Sequence, residues 1–277
     1  MDRVVRIVWS SSSAILRPRA LLAHWMRERS THARNWGDAL NPKLINRVSG
    51  RPVLNRNSVK IRTQSPTYFV IGSILQQMCV ENAVIWGAGV ISQDASLKTR
   101  PRAVHAVRGP LTRRWLNRHG VDCPTIYGDP ALLYPRLFAV KPGSRIRLGL
   151  IPHYSDQGEA IVTSLASQDG VQFVDILGGI ERVANQVASC DAVVSSSLHG
   201  LVLADALGVP SLWVEFGGRL KGGHFKFCDY LMSVERRERL PMPISRRATA
   251  SDLIAAIPDF KSKVAVDALL EVCPFRQ

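Results

Sequence analysis

The sequence predicts an α/β protein made of two Rossmann-like halves that face a cleft. Three observations carry this. From residue 145 onward, short apolar runs alternate with helical repeats in the order β-α-β-α-β-α-β. Such alternation implies a parallel sheet with helices on both faces. The chain has 277 residues, more than one ordinary domain, so two cores are expected. A basic stretch bearing proline and glycine, YPRLFAVKPGSR at 134–145, separates the regular text from a similar first half. The expected domains are residues 1–140 and 141–277, with 1–18 as an extension.

The second half reads most clearly. RIRLGLIPHY (145–154) is an apolar strand, and GEAIVTSLASQDG (158–170) is helical in period and ends in glycine. VQFVDI (171–176) is a strand. GIERVANQVASC (179–190) places Ile180, Val183, Ala184 and Val187 on one helix face. DAVVSSS is a strand, HGLVLADALG a helix closed by Gly208, and PSLWVEF a strand. In the first half, RALLAHWM (19–26) reads as a strand and GDALNPKLINRVSG as a helix whose first turn must contain Pro42. YFVIGSIL, AVIWGAGV and RAVHAVRG are strand-like. PLTRRWLNRHG is a helix with Pro110 at its first position and Gly120 at its end. TIYGDPALL is a strand entering a turn. After about residue 216 the pattern loosens, and two short helices near 250–257 and 262–272 close the chain.

Composition bounds the partners. Lys and Arg number 36 against 22 acidic residues, a formal charge of +14. That field favours anionic ligands: phosphorylated small molecules, nucleic acid or an anionic membrane face. The basic stretch SVERRERLPMPISRR lacks aromatic interleaving, and no helix-turn-helix or zinc spacing supports nucleic-acid recognition. The five cysteines are scattered with no C-x-x-C, which argues for a reducing compartment and against a zinc site. No metal or cofactor is expected. The chain reads as a soluble cytoplasmic protein whose basic surface suits peripheral contact with the inner face of the plasma membrane.

The chemistry concentrates in SSSLHG, residues 195–200. These residues lie where a strand hands over to a helix. In open α/β sheets, ligands bind outside the carboxyl ends of the strands. The N-terminus of the following helix offers unpaired N–H groups to an anion. It also lowers the pKa of His199, because positive dipole character disfavours the cation; a bound phosphate reverses this. Other strand ends collect His153 and Tyr154, Arg108, Asp129, the glycines Gly87 and Gly89, and the Asp38–Asn41 pair. The GAG run lacks a full dinucleotide fingerprint.

Six strings in order, NWGDALNPKLI, IWGAGVI, VRGPLTRRWL, YGDPALLYP, GLIPHY and SSSLHGLVLADALGVPSLWVEF, resemble the polysaccharide pyruvyl transferase family. The likeness is nearest to the bacterial exopolysaccharide ketal-pyruvyl transferases of the succinoglycan type. It implies a two-domain fold like that of GT-B glycosyltransferases. It also implies transfer of the pyruvyl group of phosphoenolpyruvate to a sugar hydroxyl of a bacterial surface or exopolysaccharide precursor, with ketal formation. The acceptor is then a sugar, an oligosaccharide or a lipid-linked saccharide. Carried over residue by residue, the general acid is His199. The phosphoenolpyruvate-binding residues are Arg108, Lys226, His153, Ser195, Ser196, Ser197, Leu198 and Gly200. The acceptor side or cleft is shaped by Gly37, Asp38, Asn41, Gly87, Gly89 and Asp129. Many relatives have arginine where this chain has Ser197, so Arg219, Lys221 or Lys226 is expected to replace that cation.

Two rival readings follow from the same residues. A glycosyltransferase using a nucleotide sugar shares the fold and wants an acidic residue for the ribose, for which Glu215 is placed. A non-catalytic relative that scaffolds polysaccharide assembly is suggested by Ser197 alone.

Overall fold

The computed structural model describes residues 5–8, 35–55, 65–217, 223–259 and 262–275. Two five-stranded sheets, each all-parallel, organise the α/β chain. The first contains β1 (Val5–Val8), β2 (Val53–Asn55), β3 (Thr67–Phe69), β4 (Ala83–Trp86) and β5 (Ala103–Ala106) in the order β2-β1-β3-β4-β5. The second contains β6 (Ile146–Ile151), β7 (Val171–Phe173), β8 (Cys190–Ser195), β9 (Ser211–Glu215) and β10 (Met242–Pro243) in the order β10-β9-β8-β6-β7. Read from the other edge, the second order repeats the first. Each sheet therefore reverses direction of growth once, between β1 and β3 and between β6 and β8. Ligand crevices form at such switch points.

The helices among the described residues are α1 (Trp36–Ser49), α2 (Pro110–Arg118), α3 (Tyr134–Leu137), α4 (Ala160–Ala166), α5 (Ile180–Ala188), α6 (Leu198–Leu207), α7 (Phe225–Ser233), α8 (Ala250–Ala255) and α9 (Val266–Glu271). None is long and apolar enough to cross a membrane. One apolar core lies against the outer face of the first sheet, around Phe69, Ile85 and Trp115. Another lies against the outer face of the second, around Leu150, Val194 and Leu253. A third and larger core is shared by the halves and contains Trp36, Trp86, Leu201 and Trp213. The alternation seen in the second half thus matches β6 to β9 and α4 to α6 element by element.

Several expectations change. Residues 5–8, read as part of an extension, form β1, which lies between β2 and β3 in the first sheet. Pro42 is inside α1 rather than in its first turn. Its position costs the helix one N–H donor. That loss is tolerated because α1 is fixed by burial of Trp36, Leu40, Leu44 and Ile45. TIYGDPALL makes only a single bridge, Val107 to Tyr127, before a 3-10 turn at Pro130–Leu133. The loosened text after 216 contains α7, whose Phe227, Tyr230 and Leu231 are buried. RALLAHWM lies outside the described residues.

The last helix returns to the first half. The Trp86 indole donates to the Leu269 carbonyl at 3.0 Å, and Phe275 packs against Tyr68 and Trp86. At the other end, the backbone N–H of Trp36 donates to Ile176, and its indole donates to Ile180, both at 3.1 Å. The halves are therefore stitched on two sides by hydrogen bonds inside apolar surroundings.

Candidate active site at the second switch point

The local sequence explains the geometry of residues 195–200. β8 is buried on both faces and aligns Ser195 with Ile151 of β6. The Ser195 hydroxyl lies 2.9 Å from the Ile151 carbonyl and 3.0 Å from the Ser197 carbonyl, and it accepts from the Ser197 N–H at 3.0 Å. This closes a tight turn, so Ser197 becomes the N-cap of α6 with extended backbone at φ −99° and ψ 128°. Gly200 allows the approach, because a β-carbon there would lie 2.3 Å from the Ser195 hydroxyl oxygen. Leu198 is buried in the shared core. Ser195, Leu198 and Gly200 thus set the backbone of the turn.

Ser196 builds the neighbouring wall. Its hydroxyl donates to Asp156 at 2.6 Å and accepts from the His153 N–H at 2.9 Å. Asp156 also accepts from Ser155 at 3.0 Å, and the His153 Nδ1 lies 2.7 Å from the Ser155 hydroxyl. Asp156, only 1% exposed, was not singled out in the sequence. Its position in the ordinary-looking turn HYSDQG gave no signal. Burial and the nearby charge of Lys226 lower the pKa of His153, with Asp156 opposing them.

His199 is the second residue of α6 and is 9% exposed. Its Nδ1 lies 3.0 Å from the Asn35 Oδ1. The same Asn35 oxygen accepts from the Gly37 N–H, as the N-cap of α1. An oxygen held by one N–H and facing the ring is an acceptor, so the ring proton belongs on Nδ1. That leaves Nε2 with a lone pair, buried and without a hydrogen-bond partner among the described residues. Gly37 is required by the ring: a β-carbon there would lie 2.2 Å from it. Asn35 is the first residue of the quoted NWGDALN string, yet its role depends on a partner 164 positions away.

Facing Nε2 at 3.8 Å is Oδ2 of Asp129. The other oxygen, Oδ1, accepts from the Ala131 N–H at 2.9 Å and caps the 3-10 turn. Oδ2 itself is buried and, among the described residues, without a hydrogen-bond partner, as is the Ser197 hydroxyl. Gly87, at φ +91°, admits this turn, since a β-carbon there would lie 2.2 Å from the Pro130 ring.

The charges explain the titration of these groups. Burial first, then the cations Lys226 and Arg108 and the neighbouring His153, push His199 down to about 3. His199 is therefore neutral at physiological pH. Burial raises Asp129 to about 6, against the Ala131 hydrogen bond and Arg108. Lys226, on the first turn of α7, is lowered to about 8 by burial and by Arg108, with Asp156 opposing. Its ammonium makes no hydrogen bond or ion pair among the described residues and lies 5.4 Å from the Phe227 ring centre.

Arg108 has a different character. It is fully buried, and its guanidinium donates to Asp229 at 3.0 Å, to Val90 at 2.8 Å and to Ser73. Asp229 comes from α7 and also accepts from the Thr112 N–H at 2.9 Å and the Thr112 hydroxyl at 2.6 Å. Thr112 is in the first turn of α2, so that helix is capped by a residue of another helix. Gly109 and Gly89 make room: β-carbons there would lie 1.9 Å from the Asp229 carbonyl and 2.3 Å from the guanidinium. Arg108 contributes its charge to the His199 environment, while three protein acceptors hold it.

Among the acceptor-side residues, Asn41 is buried and bonds both N–H and C=O of Ile71, at 3.2 and 3.0 Å. It latches α1 to the exit of β3. Asp38 is half-buried in the first turn of α1. Glu215, considered for a ribose, faces the His224 ring at 3.5 Å. Arg219 and Lys221 lie outside the described residues.

The likeness to known proteins is consistent with this arrangement. A family profile described as polysaccharide pyruvyl transferase matches residues 64–216, more than half of the chain. An uncharacterized protein, L143 of Acanthamoeba polyphaga mimivirus, is 35% identical over 204 residues, which is 71% of this chain and 70% of that protein. The succinoglycan biosynthesis protein ExoV of Rhizobium meliloti (strain 1021) is 27% identical over 150 residues, 53% of this chain and 46% of that protein. The chain belongs to the polysaccharide pyruvyl transferase family.

Proposed function

We propose that this protein is an enzyme that moves the pyruvyl group of phosphoenolpyruvate onto a sugar hydroxyl and closes it to a ketal on a polysaccharide precursor. The observation that carries this reading is His199: buried, neutral, with Nε2 unpartnered at a helix N-terminus. Burial first, then the cations Lys226 and Arg108, depress its pKa. An anion that offsets those cations raises it again. Bound phosphoenolpyruvate offsets the cations, and His199 gains its proton only when the substrate is present.

The Nε2–H bond breaks and a C–H bond forms at the phosphoenolpyruvate methylene, leaving cationic character at C2. A sugar hydroxyl attacks C2 and gives its proton to the His199 Nε2, which has just lost its own. A second hydroxyl attacks as the C–O bond to phosphate breaks, and its proton leaves with the phosphate. The net change is one phosphoenolpyruvate and two hydroxyls to one ketal and one hydrogen phosphate. In this reading Lys226 and the α6 N-terminus hold the phosphate, Arg108 supplies field from within the fold, and Ser197 and His153 line the donor. Residues Gly37 and Asp38 border the acceptor, and Asn41 shapes that side from within by holding α1 to the exit of β3.

A thermal-shift comparison tests this reading, with phosphoenolpyruvate against a panel of nucleotide sugars and Lys226→Ala alongside. A ligand at one hundred times its Kd stabilises by about 2.7 kcal/mol. Phosphoenolpyruvate is expected to shift Tm and Lys226→Ala to reduce the shift. Stabilisation by a nucleotide sugar alone would overturn the proposal in favour of glycosyl transfer.

A further inference from the structure

Asp129 enters the sequence reading as a turn residue that shapes the cleft, and the geometry gives it more to do. Its Oδ2 and the His199 Nε2 face each other across 3.8 Å, and neither has a hydrogen-bond partner among the described residues. Both atoms are buried, and both present lone pairs when Asp129 is ionised and His199 neutral. Two acceptors held face to face out of water are unfavourable unless a proton lies between them. The rest of each group is fixed: Asn35 holds Nδ1, Ala131 holds Oδ1, and Gly37 and Gly87 set the distances of ring and turn.

We propose that Asp129 and His199 hold one proton between them, and that Asp129 is the reservoir from which His199 is loaded. This deepens the pyruvyl-transfer reading and rests on it for the second step. Before substrate binds, the proton belongs on Asp129 Oδ2: burial first, then Lys226, Arg108 and His153, oppose an imidazolium, and burial also raises Asp129 against the pull of Arg108. Tyr230 is also within electrostatic reach of Asp129, with its hydroxyl bonded to Asp205 at 2.7 Å. When the phosphoenolpyruvate anion enters, the Oδ2–H bond breaks and an Nε2–H bond forms. His199 gives that proton to the methylene carbon and, neutral again, accepts the proton of the attacking hydroxyl. The proton then returns to Asp129, and the pair is restored without exchange with solvent. Asp129, fully buried, acts through His199 and is a positioning residue.

The test begins with the whole chain and no ligand. The ring nitrogens of 15N-labelled histidine and the 13C-labelled aspartate carboxyls are followed from pH 4.5 to 8.5. The Nδ1–H tautomer is expected at His199. A step in its ring shifts should share its midpoint with Asp129. Asp129→Asn keeps the Oδ1 cap and the shape but has no proton to titrate, so the shared step should vanish from His199 while the fold remains. A His199 step unchanged in Asp129→Asn, or an Nε2–H tautomer in the wild type, overturns the proposal. Phosphoenolpyruvate is then added near pH 6.5. His199 should become imidazolium as Asp129 ionises. A shared step with no response to phosphoenolpyruvate would sink the pyruvyl-transfer reading and leave the pair standing. Phosphoenolpyruvate binding without a shared step would do the reverse.

Discussion

Two helix N-termini lie at strand exits near the same cluster of charge, and they are finished in opposite ways. The start of α2 is closed: Asp229 caps Thr112, Arg108 neutralises Asp229, and these three side chains are partnered to one another. The start of α6 is open: the Ser197 hydroxyl, the His199 Nε2 and the facing Asp129 Oδ2 are buried without hydrogen-bond partners among the described residues. Both motifs look alike in sequence, as a polar residue and a glycine between a strand and a helix. A satisfied buried charge holds the fold, whereas an unsatisfied one is held ready for a ligand. In the proposed reading, Arg108 therefore belongs to the scaffold and field, and His199 to the chemistry.

The strongest way to break this comparison is at the closed end. Asp229→Ala leaves Arg108 as an uncompensated buried charge, and loss of one partner of such a pair costs about 3–5 kcal/mol. Urea unfolding should show this loss; a change within the error of the fit would mean that the cap is dispensable. Arg108→Ala carries the same cost, so it is a poor probe of substrate binding.

At the open end the effect should be on rate. His199→Ala is expected to lower turnover by about 10²–10⁴ while circular dichroism and the urea midpoint stay close to wild type. Near-normal phosphate release would end the assignment of His199 as the acid.

Asp129→Asn sharpens the contrast by separating stability from function. Burial raises Asp129 to about 6. The stability from a raised carboxyl is present below the unfolded value and is lost as pH rises through the folded one. Above pH 6 the wild type therefore carries a buried carboxylate at a cost of about 3 kcal/mol, and Asp129→Asn should be more stable at pH 7.5. The advantage should disappear below about pH 4. Equal Tm values across that range would remove the linkage.

Gly37→Ala pushes a methyl into the His199 ring, 2.2 Å away. Overpacking of this kind costs about 1–3 kcal/mol, and turnover should fall more than phosphoenolpyruvate affinity. An unchanged kcat would show that the ring tolerates displacement. The smallest effect is on binding and pH. Lys226 is lowered to about 8, so phosphoenolpyruvate Kd should rise by up to about tenfold per pH unit above that value. A flat Kd to pH 9.5 would take Lys226 out of the donor site.

The legibility of the chain was uneven for a physical reason. The second half could be read because β6, β8 and β9 are buried apolar runs bounded by helices with one wet face, such as α5 with Ile180, Val183, Ala184 and Val187 inward. β1 and β2 are short, and α7 has no regular polar face because it is squeezed between halves. Its cue, Asp229, looks like any helical surface carboxylate until Thr112 and Arg108 are brought to it from 117 and 121 positions away.

By itself the sequence determined the two-sheet α/β class and the strand-to-helix handover at 195–200, and it singled out His199 as the candidate for the chemistry. These are local properties: period, burial and a serine-glycine turn between an apolar strand and an apolar helix. Only the tertiary structure decided that Asn35 meets the Nδ1 of His199, that Asp129 faces its other ring nitrogen, and that Arg108 is engaged by Asp229. Those outcomes depend on which groups share a buried volume across the shared core. Desolvation and pairing there are set by distances in space, which no spacing along the chain encodes.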